Sequence, residues 1–305
     1  MSTPEAIPGL HEVSGAARGL SVIVPAYQEA DGIASVLEQL AAILPTCGLD
    51  EFEIIVVDDG STDGTAEVVG RFGDVTLLRH PRNRGYGAAL KTGIRGARQD
   101  LICITDADGT YPVAHLPDLL AQLRTGRADM VVGARTGRRA AIPLIRRPAK
   151  WFLNLLANWV AGETIPDLNS GMRLFRRDIA AQFFRILPDG FSFTTTITLA
   201  MMTNSFLVDF VPIGYRPRIG TSKIRPLRDT AGFLALIVRT ALLFNPLRVF
   251  GPLALFFFVV AGLKIIRDML VLNLHIATST AIVTMTAFQL LLLGLIADLI
   301  VRTRR

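Results

Sequence analysis

The chain has 305 residues, half of them hydrophobic, which suits one sizeable α/β domain with an additional element. Its two cysteines, Cys47 and Cys103, exclude a disulfide framework and suit a reducing, cytoplasmic setting. A formal net charge of +6 predicts an anionic partner, and the apolar excess after about residue 230 favours lipid phosphate over nucleic acid.

Residues 1–18 are small and polar and contain no apolar core of signal-peptide length, so we expect a flexible tail. After this tail, short apolar runs alternate with amphipathic stretches. The predicted strands are Leu20–Val24, Phe52–Val57, Val75–Arg79, Leu101–Thr105 and Met130–Ala134. The predicted helices are Asp31–Ile43, Thr65–Arg71, Tyr86–Ala97 and Val113–Arg124. This alternation predicts an α/β domain with a mostly parallel sheet and helices on both faces.

Acidic residues follow three of the predicted strands. The first strand ends in Pro25-Ala26-Tyr27-Gln28-Glu29, the second in Asp58-Asp59-Gly60, and the fourth in Asp106-Ala107-Asp108-Gly109. The carboxyl ends of strands are where open α/β sheets bind ligands. Taken alone, each segment is more often only a capped turn, but three at one edge of a sheet favour a binding site.

Asp106 and Asp108 are the candidate metal ligands. Two hard carboxylate ligands at this spacing suit Mg²⁺ or Mn²⁺, which would bridge and neutralise a diphosphate. The alternative is that both side chains only cap the turn that follows. The first strand is not followed by Gly-x-Gly-x-x-Gly, and the chain has no Walker loop, which argues against a dinucleotide oxidoreductase and an ATPase.

The middle of the chain is basic and amphipathic. No acid occurs between Asp129 and Glu163, and a helix at about 147–162 would place two tryptophans on one face, which suits a membrane interface. A surface helix packed on the core is the alternative. A further apolar stretch within 229–246 is too short to span a membrane, which needs about 20 residues, so we expect a juxtamembrane helix.

Two longer apolar runs, Val249–Ile266 and Thr280–Ala297, are each about the minimum length for a spanning helix. We therefore expect 247–305 to form a two-helix transmembrane hairpin. Lysine and arginine lie before and after the hairpin but not between its helices, which predicts a multi-pass protein of the inner cell membrane with its catalytic domain cytoplasmic. Two buried core helices of a protein without a membrane segment are the alternative.

Several motifs together resemble the family 2 glycosyltransferases of the GT-A fold. They are Ile23-Val24-Pro25-Ala26-Tyr27-Gln28-Glu29, Val57-Asp58-Asp59-Gly60-Ser61-Thr62-Asp63-Gly64-Thr65, Asn83-Arg84-Gly85-Tyr86-Gly87-Ala88-Ala89 and Asp106-Ala107-Asp108. Two later segments resemble the polyisoprenyl-phosphate glycosyltransferases, which include dolichol-phosphate mannose synthases and polyprenol-phosphate glucosyltransferases. These are Pro166-Asp167-Leu168-Asn169-Ser170-Gly171-Met172-Arg173 and Arg218-Ile219-Gly220-Thr221-Ser222-Lys223-Ile224-Arg225.

The resemblance implies a GT-A catalytic domain over 19–228, a nucleotide-sugar donor, a polyisoprenyl phosphate acceptor and Mg²⁺ or Mn²⁺ as cofactor. It also implies a homo-oligomer, with a tetramer as the expected size. The donor residues it implies are Pro25, Ala26, Tyr27, Glu29, Asp58, Lys91, Asp106, Ala107 and Asp108. Asp108 and Asp167 are the expected catalytic residues, with Asp167 beside the acceptor in the position of a base.

The charge of the acceptor phosphate determines which step of the reaction needs the most help from the protein. A phosphate monoester has a second pKa of about 6, so the nucleophile is already largely deprotonated and needs no strong general base. Bringing two anions together is harder, and it calls for cations. The expected acceptor-phosphate ligands are Arg135, Arg139, Arg146, Ser170, Lys223 and Arg225.

The identity of the sugar stays open at this point. The segments around Lys223 and around Asn245 look closer to polyprenol-phosphate glucosyltransferases, which favours UDP-glucose, with GDP-mannose or another UDP-sugar as alternatives. A processive polysaccharide synthase is disfavoured because the chain lacks Gln-x-x-Arg-Trp. A non-catalytic membrane scaffold is the rival from another class, and intact acidic pairs argue against it. No recognised nucleic-acid-binding motif is present, so we expect no nucleic acid partner.

Overall fold

The structure is a computed structural model that describes residues 19–135, 155, 157–214, 238, 239, 241, 242, 245–271 and 276–303. The chain divides into two compact units, 1–230 and 231–305, and each is described by itself.

In the first unit, the described strands are β1 (Gly19–Ala26), β2 (Glu51–Asp58), β3 (Val75–Arg79), β4 (Leu101–Ile104), β5 (Met130–Ala134), β6 (Arg173–Arg176) and β7 (Val208–Pro212). Its helices are α1 (Ile33–Ile43), α2 (Thr65–Val69), α3 (Tyr86–Gly96), α4 (Leu116–Arg124), α5 (Arg177–Gln182) and α6 (Phe193–Thr203). Short 3₁₀ turns at Leu44–Cys47 and Val113–His115 follow α1 and precede α4.

Within the described residues these strands form one sheet in the order β3-β2-β1-β4-β6-β5-β7. Neighbouring strands are parallel except where β6 pairs antiparallel with β4 on one side and β5 on the other. The predicted mostly parallel α/β sheet is therefore confirmed. The reversed strand β6 begins at the edge where β4 and β5 end, because Ile104 and Val132 both pair with Arg173.

Alternating side chains of the central strand place helices on both faces of the sheet. In β1, Leu20, Val22 and Val24 are fully buried in a cluster that includes the apolar faces of α1 and α4. Ile23 points the other way, towards Gly93 of α3. Burying apolar side chains on both faces is the main favourable contribution to folding, at roughly 25 cal/mol per Å², and it holds the strand ends in a fixed arrangement.

The second unit contains two long helices, α7 (Pro246–Val271) and α8 (Thr278–Thr303). They contain the two predicted spanning runs, and both are long and apolar enough to cross a membrane. Only 11% and 17% of their most apolar windows are buried, with Leu255 and Phe288 at least 60% exposed. Two buried core helices would not leave these side chains exposed, so the structure favours the membrane hairpin.

Asp268 joins the two helices of the hairpin. Its Oδ2 accepts hydrogen bonds from the Thr280 hydroxyl at 2.6 Å and from the Ala277 backbone N–H at 3.0 Å. Asp268 is 1% exposed, although it lies in a long apolar helix. A carboxylate near the end of α7 thus satisfies donors at the beginning of α8, where backbone N–H groups lack partners within the helix.

The two expected helices that precede the hairpin lie mostly outside the described residues. Of the segment 147–162, the structure describes 155 and 157–162, and residues 157–161 are helical. Leu155 and Trp159 are 51% and 42% exposed, whereas Ala157 and Val160 are buried. Of 229–246, only residues 238, 239, 241, 242, 245 and 246 are described.

Candidate active site

One edge of the sheet collects the acidic residues. Asp58 ends β2, Asp106 and Asp108 follow β4, and Asp167 precedes the reversed strand β6. Arg135 follows β5 at the same edge. Parallel strands that end together, with one antiparallel strand beginning among them, bring residues from distant parts of the chain to one surface.

Asp106 is held between two segments of the chain. The Tyr86 hydroxyl at the start of α3 donates to Asp106 Oδ1 at 2.9 Å. On the other side the backbone of Gly171 lies so close that a Cβ there would stand 2.6 Å from Asp106 Oδ2. Burial, and then the negative charge of Asp106, raise the pKa of Tyr86, so its hydroxyl stays a donor. The orientation of the Asp106 carboxylate is therefore fixed by its surroundings.

Asp108 caps the turn that follows it, as the alternative to metal binding predicted. Its Oδ1 accepts from the Thr110 N–H at 3.1 Å and from the Thr110 hydroxyl at 2.6 Å, and the residue is 8% exposed. These two hydrogen bonds to Oδ1 fix the orientation of the Asp108 carboxylate.

Asp106 and Asp108 suit a divalent ion whose other ligands are phosphate oxygens and water. Among the described residues no group of three or more His, Cys, Asp or Glu side chains could hold a metal ion. A closed all-protein cage is therefore not formed there. Mg²⁺ and Mn²⁺ in nucleotide sites are instead held by one or two carboxylates, with phosphate oxygens and water completing the shell. The donor set present here fits that second arrangement.

Arg135 and Asp167 form a bidentate ion pair. Arg135 Nε donates to Asp167 Oδ2 at 2.6 Å and Nη2 donates to Oδ1 at 2.8 Å. The backbone N–H groups of Arg135 and Asn169 also donate to this carboxylate. Burial works to raise the pKa of Asp167, but the hydrogen bonds and charge of Arg135 outweigh it and hold that pKa below its usual range. Asp167 is thus an anion at neutral pH.

Tyr111 connects the two acidic positions. Its hydroxyl accepts from the Gly171 N–H at 2.7 Å, and its ring lies 5.9 Å from the Arg135 guanidinium carbon. Gly171 in turn touches Asp106. The segment that precedes β6 is therefore fastened to the site from two directions, a contact that no sequence pattern indicated.

Ser170 departs from the sequence-based expectation. It was expected to bind the acceptor phosphate, but it is fully buried and its hydroxyl donates to the Gly133 carbonyl at 2.6 Å. In this structure the side chain joins the loop to β5. The buried Ser170 hydroxyl therefore has the hydrogen-bond partner that buried polar groups require.

Arg173, which the sequence analysis did not select, is fully buried beneath the same segment. Its Nη1 donates to the Thr194 carbonyl at 2.9 Å and to the Thr198 hydroxyl at 3.0 Å, and its Nη2 donates to the Ser170 carbonyl. Burial lowers the pKa of Arg173 to about 10, although the nearby phenols and carboxylates oppose that shift. The side chain therefore remains a cation at neutral pH.

Asp58, expected to contact the nucleotide, is fully buried. Its Oδ1 accepts from the Ser61 N–H at 2.9 Å and its Oδ2 from Arg79 Nε at 3.2 Å. The neighbouring Asp59 accepts from the N–H groups of Arg84 and Gly85. Both carboxylates thus organise the loops that border the edge.

The loop after β1 is fastened to the loop after β2. Pro25 and Ala26 are buried at the end of the strand, whereas Tyr27 and Glu29 are half-buried. The Glu29 N–H donates to the Thr65 hydroxyl at 3.0 Å. Ala107, also expected near the donor, is buried at 2% exposure. The two loops therefore form one continuous rim.

Lys91 was also expected on the donor side, but its ammonium pairs with Asp189 at 2.7 Å. The Asp189 carbonyl accepts from the Ala88 N–H at 3.0 Å, so the loop that contains Asp189 is tied to the beginning of α3. That loop presents Phe191, 60% exposed, stacked on Tyr86 with ring centroids 5.6 Å apart. The exposed aromatic face borders the Asp106 position, and the sequence analysis missed it.

Four expected phosphate ligands, Arg139, Arg146, Lys223 and Arg225, lie outside the described residues. The structure therefore places the carboxylates Asp106, Asp108 and Asp167 with Arg135 at one edge and leaves these four cations undescribed.

Two family profiles match the chain. The family described as "Glycosyl transferase family 2" matches residues 21–184, and the one described as "GtrB C-terminal hairpin" matches residues 245–303. The first match covers β1 to β6 with the edge just described. The second covers α7 and α8.

Two curated relatives are similar to a large part of this chain. A dolichyl-phosphate hexose transferase of Haloferax volcanii is 31% identical over 224 residues, which is 73% of this chain and 94% of that protein. The dolichyl-phosphate beta-glucosyltransferase ALG5C of Trichomonas vaginalis is 33% identical over 178 residues, covering 53% of each chain.

A solved structure shares the fold. Glucosyl-3-phosphoglycerate synthase from Mycobacterium tuberculosis, crystallised with Mn²⁺, UDP-glucose and phosphoglyceric acid, superposes with a TM-score of 0.57 at 22% identity. The likeness covers 79% of this chain and 85% of that one. At this identity it establishes the GT-A arrangement of the sheet.

Proposed function

The chain belongs to glycosyl transferase family 2, and from that premise we propose that it transfers a sugar from a nucleotide sugar to a polyisoprenyl phosphate lipid. The observation that carries the proposal is the combination in one chain of the carboxylate edge with the GtrB-type hairpin. The first suits a nucleotide diphosphate and the second a substrate that lies in a membrane. The dolichyl-phosphate hexose transferase of Haloferax volcanii supports the same class of acceptor.

On the donor side, Asp106 and Asp108 are the residues proposed to hold Mg²⁺ or Mn²⁺. When bound, such an ion stabilises the charge that develops on the departing nucleotide diphosphate. Tyr86 and Gly171 fix the Asp106 carboxylate from two sides, and Thr110 fixes Asp108. Because these carboxylates are oriented before any ligand arrives, little reorganisation is needed during the reaction.

On the acceptor side, Arg135 and Asp167 are the described residues proposed to bind. The acceptor phosphate is largely deprotonated at neutral pH, because its second pKa is about 6. Asp167 therefore acts by orienting: its two hydrogen bonds set the plane of the Arg135 guanidinium. A fixed guanidinium is suited to a phosphate, which it contacts through parallel N–H groups. Attack by the phosphate oxygen on the anomeric carbon then inverts its configuration.

We propose UDP-glucose as the donor, because a relative from Trichomonas vaginalis is a dolichyl-phosphate beta-glucosyltransferase. GDP-mannose and other UDP-sugars are the donors against which this must be tested. The Asp58 carboxylate accepts hydrogen bonds from Ser61 and Arg79, and these contacts favour neither uracil nor guanine.

For the membrane arrangement, we propose a catalytic domain over 19–228, a juxtamembrane segment over 229–246, and a spanning hairpin over 247–305 that leaves the catalytic domain in the cytoplasm. The hairpin has no Lys or Arg between Asp268 and Val301, while Arg302, Arg304 and Arg305 follow it. That asymmetry supports both ends of the hairpin on the cytoplasmic side. A homo-oligomer, a tetramer in our proposal, would form through the membrane helices.

The test is a donor panel. The purified full chain is reconstituted with undecaprenyl or dolichyl phosphate and offered UDP-glucose, UDP-galactose, UDP-glucuronate and GDP-mannose, each with Mg²⁺, Mn²⁺ or EDTA. We expect a glycosylated lipid phosphate from UDP-glucose, and none with EDTA or with the unphosphorylated lipid alcohol. Product from GDP-mannose alone would overturn the donor, and neither transfer nor hydrolysis with any donor would favour a non-catalytic scaffold.

A further inference from the structure

Arg173 lies buried beneath the segment that precedes β6 and is part of no assigned contact to a ligand. We infer that Arg173 is a positioning residue: a fixed buried cation that holds the 170–171 backbone against Asp106 and favours the binding of phosphate anions over free metal ions at that edge. The inference rests on the proposed function, since it concerns the same diphosphate and metal positions.

The first support is the set of atoms that Arg173 contacts. All three of its described acceptors are neutral oxygens: the carbonyls of Ser170 and Thr194 and the hydroxyl of Thr198. One guanidinium thus ties the loop that precedes β6 to helix α6. Gly171 follows Ser170 directly and leaves no room for a Cβ beside Asp106, so the position of this loop limits where the Asp106 carboxylate can lie.

The second support is that the charge is not neutralised by contact. No carboxylate among the described residues comes within ion-pair distance of Arg173, and its Nε is buried with no hydrogen-bond partner there. Burying a cation is costly unless it is paired, and a neutral side chain would satisfy two carbonyls at lower cost. Because no ion pair offsets this cost, we expect the charge of Arg173 to stabilise an anionic ligand when that ligand binds.

The third support is where the charge acts. Asp106 and Asp167 are among the groups that interact electrostatically with Arg173, and both lie on the proposed ligand side. A nucleotide diphosphate and a lipid phosphate would both place negative charge over this edge. A cation fixed by three hydrogen bonds stabilises such anions without reorganising. The same cation repels a metal ion that arrives without its anion.

These opposite effects provide the test. A purely structural role predicts that removal of Arg173 loosens Asp106 and weakens every ligand at the edge. An electrostatic role predicts that the affinities for Mn²⁺ and for pyrophosphate change in opposite directions. In Arg173→Gln, binding of Mn²⁺ alone should tighten and binding of inorganic pyrophosphate should weaken, each by at least about tenfold, since one unit charge about 12 Å away at an effective dielectric of about 20 already gives a factor of about ten.

The experiment uses the full chain in detergent. Mn²⁺ alone is titrated by electron paramagnetic resonance, and pyrophosphate is titrated by calorimetry with and without Mn²⁺. Arg173→Lys retains a cation with three hydrogen-bond donors and should stay within about threefold of the wild type in both titrations. Thr198→Val is the matched control, because it removes one hydrogen bond to Arg173 but leaves the charge; it should lower the unfolding temperature and move neither titration.

Joint weakening of Mn²⁺ and pyrophosphate in Arg173→Gln would overturn the charge role. Arg173→Met is the second neutral variant, since it buries no unpaired polar group. If both neutral variants fail to fold while Arg173→Lys folds, the charge is structural and the inference falls. If the wild type transfers sugar but binds no Mn²⁺, the metal assignment in the proposed function fails instead, and the metal-free pyrophosphate titration decides the role of Arg173.

Discussion

Arg135 and Asp167 face each other through two parallel hydrogen bonds of 2.6 and 2.8 Å. The Asp167 side chain is only 11% exposed, so its charge depends on that partner. Because the folded-state pKa of Asp167 is depressed, the pair stabilises the fold above the unfolded pKa of about 3.9, and this stability is lost as the pH falls through the folded value.

In Arg135→Met, burial is left without its counteracting charge and the pKa of Asp167 rises. We expect the unfolding free energy at pH 7 to fall by about 1–3 kcal/mol. We also expect kcat/KM to fall across the whole pH range measured, because the guanidinium proposed to contact the acceptor phosphate is lost. Thermal unfolding and transfer rates between pH 4.5 and 8 measure both.

The control for this prediction is Arg98→Met. Arg98 donates to the buried Glu53, whose pKa is also lowered because hydrogen bonds from Ser21 and Arg98 outweigh its burial. Glu53 lies near the beginning of β2, far along the strand from its carboxyl end. This variant should change stability but leave kcat/KM unchanged. An equal fall of kcat/KM in both variants would mean that the loss in Arg135→Met reflects stability and not contact with the acceptor phosphate.

Asp108→Asn tests the donor side. The amide oxygen retains the acceptor for the two Thr110 donors, so the turn survives while the negative charge is lost. We expect transfer to fall on the order of 100-fold or more, because a carboxylate ligand of a divalent ion is removed. Asp63→Asn is a matched control, since Asp63 Oδ1 accepts from Thr65 in the same pattern. Equal losses of transfer in the two variants would make Asp108 a turn residue only.

Gly171→Ala tests the contact between the 167–172 segment and Asp106. The added Cβ would stand 2.6 Å from Asp106 Oδ2 and must push the carboxylate away. A displacement of about 1 Å in an active site can cost on the order of 100-fold in rate, while the overpacking costs about 1–3 kcal/mol of stability. Gly73→Ala, where a Cβ has nothing within 4 Å, should change neither. Full transfer activity in Gly171→Ala would show that the position of Asp106 is not critical.

Asp268→Ala tests the hairpin. It leaves the Thr280 hydroxyl and the Ala277 N–H without their acceptor, at a cost of about 1–3 kcal/mol. The measurement is thermal unfolding in detergent. Asp268→Asn should lose less, because the amide retains an oxygen, and Thr286→Val should lose little, because the exposed Thr286 donates only within its own helix. An unchanged unfolding temperature in Asp268→Ala would refute the capping role.

Five of the strands were predictable from their apolar and β-branched residues. Val75–Arg79 and Met130–Ala134 have the predicted bounds. Strand β6 was missed because Arg173-Leu174-Phe175-Arg176 offers two apolar residues between two arginines. It is a strand because β4 and β5 pair with it on both sides, which is a property of the assembled sheet.

Some residues of the candidate site were predictable from sequence and others were not. Asp106 and Asp108 follow an apolar run directly, so their place at a strand end could be inferred from local order. Tyr86, Gly171 and Arg173 could not, because their contacts join segments that are distant in sequence. A buried arginine in particular contradicts the usual expectation that charged residues are exposed.

Among the described strands, β6 runs against its neighbours, and this reversal has a consequence for exchanging parts of the chain. The chain leaves the sheet after Ala134 and re-enters it at Arg173 on the adjacent strand, at the same edge. Residues 135–169 are thus inserted between two neighbouring points of the sheet and can be lengthened, shortened or exchanged without altering β1 to β4. Chimaeras that exchange this insertion but retain Ser170 and Gly171 beside Asp106 should therefore keep the donor preference of the recipient chain.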